Sequence, residues 1–237
     1  MEERPIRKIR SFVRRPGRMT QAQRRALVML LPRYGLPYEE RRIDLAQVFG
    51  RDARRVLDIG FGDGEALVTT AAHHPDIDYV GVEIHEPGIG HLLLLLERAG
   101  LDNVRVVPRD AVDVIEQMLG DASFDAVNLF FPDPWPKKRH HKRRLVQPDF
   151  LRQCARILKE GGLMHVATDW ANYAEHTREA FGTAPETFEA LTEDDLDGNP
   201  LAFRPPTKFE RRGQRLGHDV VDLYFRRLPS ARGSEAR

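Results

Sequence analysis

Four acidic side chains stand where they could share one chemistry. Asp58 falls within Leu57-Asp-Ile-Gly60-Phe-Gly62-Asp-Gly64, and Glu83 within Gly81-Val-Glu-Ile84. Asp110 closes Val104-Arg-Val-Val-Pro-Arg-Asp, and Asp133 lies within Phe130-Phe-Pro-Asp-Pro-Trp-Pro-Lys137. Each acid sits at or near the end of a short run rich in Val, Ile, Leu or Phe, the composition of a strand. Strand ends on one sheet edge would deliver all four carboxylates to one crevice, where open α/β folds bind ligands.

The glycines at 60, 62 and 64 permit a tight turn and a close approach by a ligand. An acid about twenty residues beyond such a turn, here Glu83, is placed to bond ribose hydroxyls. A dinucleotide would seat its pyrophosphate at a helix N-terminus behind G-x-G-x-x-G. This turn reads G-x-G-x-G with acids crowding it, which disfavours phosphate. S-adenosylmethionine, which carries an amine, a sulfonium and a ribose but no phosphate, suits it better. Taken singly, each acid also reads as a solvated loop residue or a helix cap; their shared location argues for a site.

Prolines at 132, 134 and 136 fix φ at alternate positions, so the chain leaving the fourth strand is expected to be stiff and extended, with Asp133 held in place. Enzymes that methylate exocyclic amines carry a similar Asp-Pro-Pro-Tyr segment here, whose acid or amide orients the target nitrogen. Residues 137–144 then read KKRHHKRR without an acid. Such a run is ordinarily a solvated face, but beside an acid and an aromatic at the ligand edge it has the layout of a nucleic-acid surface.

The elements that must position these residues follow an alternating βα rhythm from about residue 54, the signature of a parallel sheet with both faces covered. Strands are predicted at Arg54-RVLDIG, Asp78-YVGVEI, Val104-RVVPRD, Phe124-DAVNLFF and Gly162-LMHVATD, with helices starting near 64, 87, 111, 148 and 171. A last strand is predicted at Asp219-VVDLYFRRL, after a polar stretch, Thr192-EDDLDGNP, that reads as a loop. Residues 1–50 read as a basic, partly flexible arm with one helix at Thr20-QAQRRALVMLL, residues 51–228 as the main domain, and 229–237 as a disordered tail.

Composition agrees with one such domain. The chain has 237 residues, 41% of them hydrophobic, which is enough for a core. No apolar run approaches the roughly 18 residues of a membrane span, and no secretory signal opens the chain, so a soluble cytoplasmic protein is expected. Net charge is +1, yet residues 1–25 hold nine Arg or Lys against two Glu. Cys154, the single cysteine, lies in an amphipathic run and reads as core, and the scattered histidines suggest no metal site.

With these motifs in hand the sequence resembles the bacterial tRNA (guanine-N7)-methyltransferases over nearly its whole length. The resemblance rests on Arg10-SFVRRPGR-Met19, Leu57-DIGF-Gly62, Gly81-VE-Ile84, Phe131-PDP-Trp135, the basic run, Ala167-TD-Trp170 and Thr207-KF-Glu210. It departs at Asp58, where Glu is frequent, and at Pro136, where His is frequent. It implies a Rossmann-like class I methyltransferase, α/β, with a doubly wound, mostly parallel seven-stranded sheet whose last strand is antiparallel. It further implies that Asp58, Glu83, Asp110 and Asp133 hold S-adenosylmethionine; Gly60, Gly62 and Gly64 of the turn are expected to join them, and Asp133 is expected to be the catalytic residue. Lys137, Asp169, Thr207, Lys208, Phe209 and Glu210 would contact the guanine-bearing substrate, and Arg139, His140, His141, Lys142, Arg143 and Arg144 the tRNA. The implied target is a variable-loop guanine, position 46. No membrane or obligate protein partner is expected, and the chain would act as a monomer or homodimer. The residues alone reach RNA base methylation. Methylation of another base, a non-catalytic RNA-binding module and an NAD-type oxidoreductase are the other readings.

Overall fold

The computed structural model describes residues 17–207, 210, 217 and 219–230. The N-terminal arm up to residue 16, Lys208, Phe209 and the tail from residue 231 lie outside the described residues.

The strands are β1 (Arg54–Ile59), β2 (Ile77–Val82), β3 (Val104–Val107), β4 (Phe124–Phe130), β5 (Leu158–Thr168), β6 (Phe188–Leu191) and β7 (Val221–Arg227). They form one sheet in the order β3-β2-β1-β4-β5-β7-β6. The first five run parallel, and β7 is antiparallel to both β5 and β6. β1 and β2 are buried at nearly every position, as their Val- and Ile-rich composition requires of strands covered on both faces. The order reverses between β1 and β4, so the loops after these two strands diverge and leave a crevice at their carboxyl ends.

The helices are α1 (Gln21–Met29), α2 (Leu31–Tyr34), α3 (Leu45–Phe49), α4 (Glu65–His73), α5 (Glu86–Ala99), α6 (Ala111–Gln117), α7 (Pro148–Ile157) and α8 (Ala171–Gly182). One core, on the side of α6, α7 and α8, includes Ile115, Leu151, Cys154 and Phe181. The other, on the side of α1, α4 and α5, includes Ala26, Tyr34, Leu67 and Leu92. Cys154 is fully buried in the first, and that burial pushes its thiol far above the usual range. Phe181 of α8 stacks on Phe225 of β7 at 3.5 Å and meets Phe188 of β6 edge-on at 5.0 Å, which seats the antiparallel end of the sheet.

Three features differ from the sequence reading. Phe188–Leu191, for which no strand was predicted, is a strand because β7 offers it a partner; a run with one buried residue carries no strand signal of its own. Among the described residues, the region before residue 50 holds three helices rather than one, and these pack into the main domain. Ala26, Tyr34 and Leu45 belong to the two cores, and Gly35 bridges to Val106 at the sheet edge. Finally, the segment after β4 is kinked rather than extended: Phe131 and Trp135, each preceding a proline, have φ of 51° and 45°. The left-handed region is strained for such residues by about 1–3 kcal/mol each.

Candidate active site

The glycine turn after β1 holds Gly60, Gly62 and Gly64 at φ of 73°, 64° and 79°, a conformation that a side chain resists. Only the first two line the cleft. Gly64 is the N-cap of α4, and a Cβ there would lie 2.7 Å from Leu92 of α5, so its role is packing.

The turn, the ends of β2, β3 and β4, and the start of α5 enclose a cleft of about 690 Å³. Glu83, Asp110 and Asp133 line it, with Ile84, Ala111 and Leu129 as an apolar wall. Glu83 is held by backbone donors: Gly62 N–H reaches Oε2 at 3.1 Å, and Ile84 and His85 N–H reach Oε1 at 2.7 and 3.0 Å. Asp110 caps α6, accepting Val112 N–H at 3.0 Å. Asp133 is exposed at the rim, between the two left-handed residues.

Asp58 does not line this cleft. It is 6% exposed and faces a side chamber of about 30 Å³, bounded also by Gly60, Phe131 and Thr207. Burial, and then the charge of Glu83, push its carboxyl up to about 7. A buried acid destabilised in its charged form is the group a cationic ligand relieves, so the donor set fits a sulfonium- and amine-bearing molecule.

Several cleft residues went unnoticed in the sequence. Gln23 of α1 lines it, with its Nε2 donating to Pro87 O at 3.1 Å and its Oε1 completing a capping box with Thr20. Arg109 lines it too, over the Tyr38 ring at 4.3 Å and paired with Asp113 at 3.4 Å. Asp63, Glu65 and His91 complete that wall. Asp63 and Glu65 were within reach of sequence reading, since they flank Gly64. Nothing in the Thr20-x-x-Gln23 pattern marks more than a helix start.

The basic run folds as a short 3-10 turn, Lys138–Arg143, next to Asp133 in the chain. Lys137, Arg139 and Lys142 are exposed, and His140, His141 and Arg143 are half-buried. Arg143 lies 4.1 Å over the Trp135 ring, and His140 meets the same ring edge-on at 5.8 Å, so this tryptophan supports the turn. Desolvation, and then Arg139 and other nearby cations, hold His140 below its ordinary value.

Arg144 departs from its expected place at the RNA surface. It is 2% exposed, and its guanidinium donates to Pro134 O at 3.0 Å and to Asn172 Oδ1 at 2.7 Å. It anchors the turn to α8, because a planar fork with several donors satisfies carbonyls that a buried loop would otherwise leave bare.

Asp169 is half-buried just beyond β5, on the same sheet edge as Asp133. Thr207 and Glu210 form a reciprocal cap: Glu210 N–H donates to Thr207 Oγ1 at 3.1 Å, and Thr207 N–H to Glu210 Oε2 at 3.4 Å. The structure thus brings Thr207 beside Asp58, while Lys208 and Phe209 lie outside the described residues.

A doubly wound sheet with a reversed β7 and an acid-lined cleft at its switch point define a class I methyltransferase. The family described as "Putative methyltransferase" matches residues 52–223. A tRNA (guanine-N(7)-)-methyltransferase of Halorhodospira halophila is 53% identical over 234 residues, covering 96% of this chain and 98% of that one. Another from Alkalilimnicola ehrlichii is 52% identical over 223 residues, covering 93% of each. The chain belongs to the tRNA (guanine-N7)-methyltransferase family. Among solved structures, the 16S rRNA methyltransferase KamB shares the fold with a TM-score of 0.54 at 18% identity, over 78% of this chain and 93% of that one. Among the described residues no helix is long and apolar enough to cross a membrane.

Proposed function

We propose that this protein transfers the methyl group of S-adenosylmethionine to N7 of a guanine in tRNA, at variable-loop position 46, in the cytoplasm. The observation that carries the reading is the meeting of Glu83, Asp110 and Asp133 in one cleft, with the basic turn next to Asp133 in the chain. Membership of the family supports the same substrate.

When bound, S-adenosylmethionine supplies an electrophilic methyl on a sulfonium. Glu83, its oxygens fixed by three backbone N–H groups, is oriented to accept the ribose hydroxyls. Asp110 is fixed in the wall by its cap bond. Asp58, held protonation-poised in the side chamber, becomes the carboxylate that answers the ligand's positive charge.

Guanine N7 has an in-plane lone pair and no proton, so attack on the methyl needs no general base. What the protein supplies is position, with nitrogen and methyl carbon about 3–3.5 Å apart. Asp133, pinned between the kinks at Phe131 and Trp135, orients the base edge and offsets the positive charge that develops on the ring. Lys137, Asp169, Thr207 and Glu210 hold the guanine-bearing substrate. Arg139, His140, His141, Lys142 and Arg143 present the surface that meets tRNA phosphates.

The test is transfer of labelled methyl to tRNA lacking the modification, followed by nucleoside analysis. Label in 7-methylguanosine is the expected result. Label in another nucleoside would overturn the reading.

A further inference from the structure

β7 carries a largely buried charge cluster, and none of the roles above uses its Arg204, Asp222 or His165. The Arg204 side chain is 8% exposed, and its guanidinium grips Asp222 of β7 with Nε to Oδ1 at 2.8 Å and Nη2 to Oδ2 at 2.8 Å. Its third nitrogen donates to Glu210. The wholly buried His165 of β5 contacts the same Oδ1 of Asp222 through Nε2 at 2.6 Å. Burial opposes ionisation of Asp222, but His165 and Arg204 outweigh it and hold the carboxyl down at about 2.

The cluster reaches the donor site along the sheet. Asp58, Asn128, His165 and Tyr224 are register partners across β1, β4, β5 and β7, so their side chains share one face. Arg204 also lies 5.7 Å from the ring centres of both Phe130 and Phe131, which border the side chamber of Asp58 and Thr207.

We propose that Arg204 is a positioning residue, the clasp by which β7 holds the Thr207–Glu210 cap against the ends of β1 and β4, and so sets where the guanine-bearing substrate sits. The inference rests on the functional reading for its kinetic consequence and not for the clasp itself. The geometry demands a planar fork: two nitrogens serve Asp222 while a third serves Glu210, and an ammonium cannot reproduce that arrangement.

The test uses the full chain and its Arg204→Lys variant. Amide exchange is followed at Thr207 and Glu210, with kcat and KM for tRNA and the dissociation constant of S-adenosylhomocysteine. The clasp predicts faster exchange at both amides and a fall in kcat/KM for tRNA of about tenfold or more, with product affinity held within about threefold. Exchange identical to that of the native chain would overturn it. So would equal losses of product affinity and tRNA turnover, which mark a general loss of structure. If the Lys variant does not fold, Asp222→Asn removes the same grip and is judged by the same outcomes. A native chain that fails to methylate tRNA would sink the functional reading, while the exchange data would still decide the clasp.

Discussion

Asp58 and Glu83 stand at paired strand ends with opposite constraints. Glu83 is gripped by three backbone N–H groups, while Asp58 is buried beside that charge and titrates near 7. The site therefore fixes one acid by hydrogen bonds and places the other where burial and that neighbour disfavour its charged form, a cost that a bound cation relieves.

This arrangement makes stability depend on pH with a definite sign. Asp58 is raised from 3.8 to about 7 on folding, so the folded chain binds the extra proton. Its contribution is full below pH about 4 and is lost as pH rises through about 7, an effect on the order of 4 kcal/mol. Asp58→Asn should therefore stabilise the unliganded protein more at pH 8 than at pH 5 in urea unfolding. An equal gain at both pH values would contradict the burial argument.

In the proposed mechanism Asp133 orients the reacting base and accepts no proton. Asp133→Ala should lower kcat by about 10²- to 10³-fold and leave tRNA affinity nearly intact. Near-native turnover in that variant would exclude the role.

The basic run divides into an outer surface and an anchor. Replacing exposed Arg139 or Lys142 by Ala should reduce the slope of log affinity against log salt by about 0.7–0.9 each. Arg144→Ala should instead destabilise the fold by about 3 kcal/mol, since Pro134 and Asn172 lose a charged donor, and should leave the salt slope unchanged. A salt slope flattened equally by Arg144→Ala would return that residue to the RNA surface.

The glycine turn can be dissected in the same way. Gly60→Ala meets open space, so it should fold with a strain penalty of about 1–2 kcal/mol while weakening S-adenosylhomocysteine binding. Gly64→Ala drives a methyl into Leu92 and should cost about 1–3 kcal/mol of stability beyond that strain. Calorimetry of both variants, with and without ligand, separates the two effects.

Much of this was legible because it is local. The predicted helix starts near 64, 87, 111, 148 and 171 fall within a residue of the observed ones, since capping residues and the switch from strand to helix periodicity stand side by side in the chain. The acids at strand ends were legible for the same reason. What escaped depends on distant partners. In KKRHHKRR all the cations look alike, and Arg144 is set apart by its bonds to Pro134 and to Asn172 on α8. Arg204 gains its meaning from Asp222 and Glu210, and β6 from β7. The kinks at Phe131 and Trp135 reverse the ordinary preference of residues before proline, so local rules argued against them.

The central claim, methyl transfer to guanine N7, is tested most directly with a tRNA in which guanosine 46 is replaced by 7-deazaguanosine. That change removes the acceptor nitrogen and keeps the base's pairing edge and every phosphate. Native-like tRNA binding and no methyl incorporation are expected. Methyl transfer to the 7-deaza tRNA at the rate seen with the unsubstituted one would contradict it.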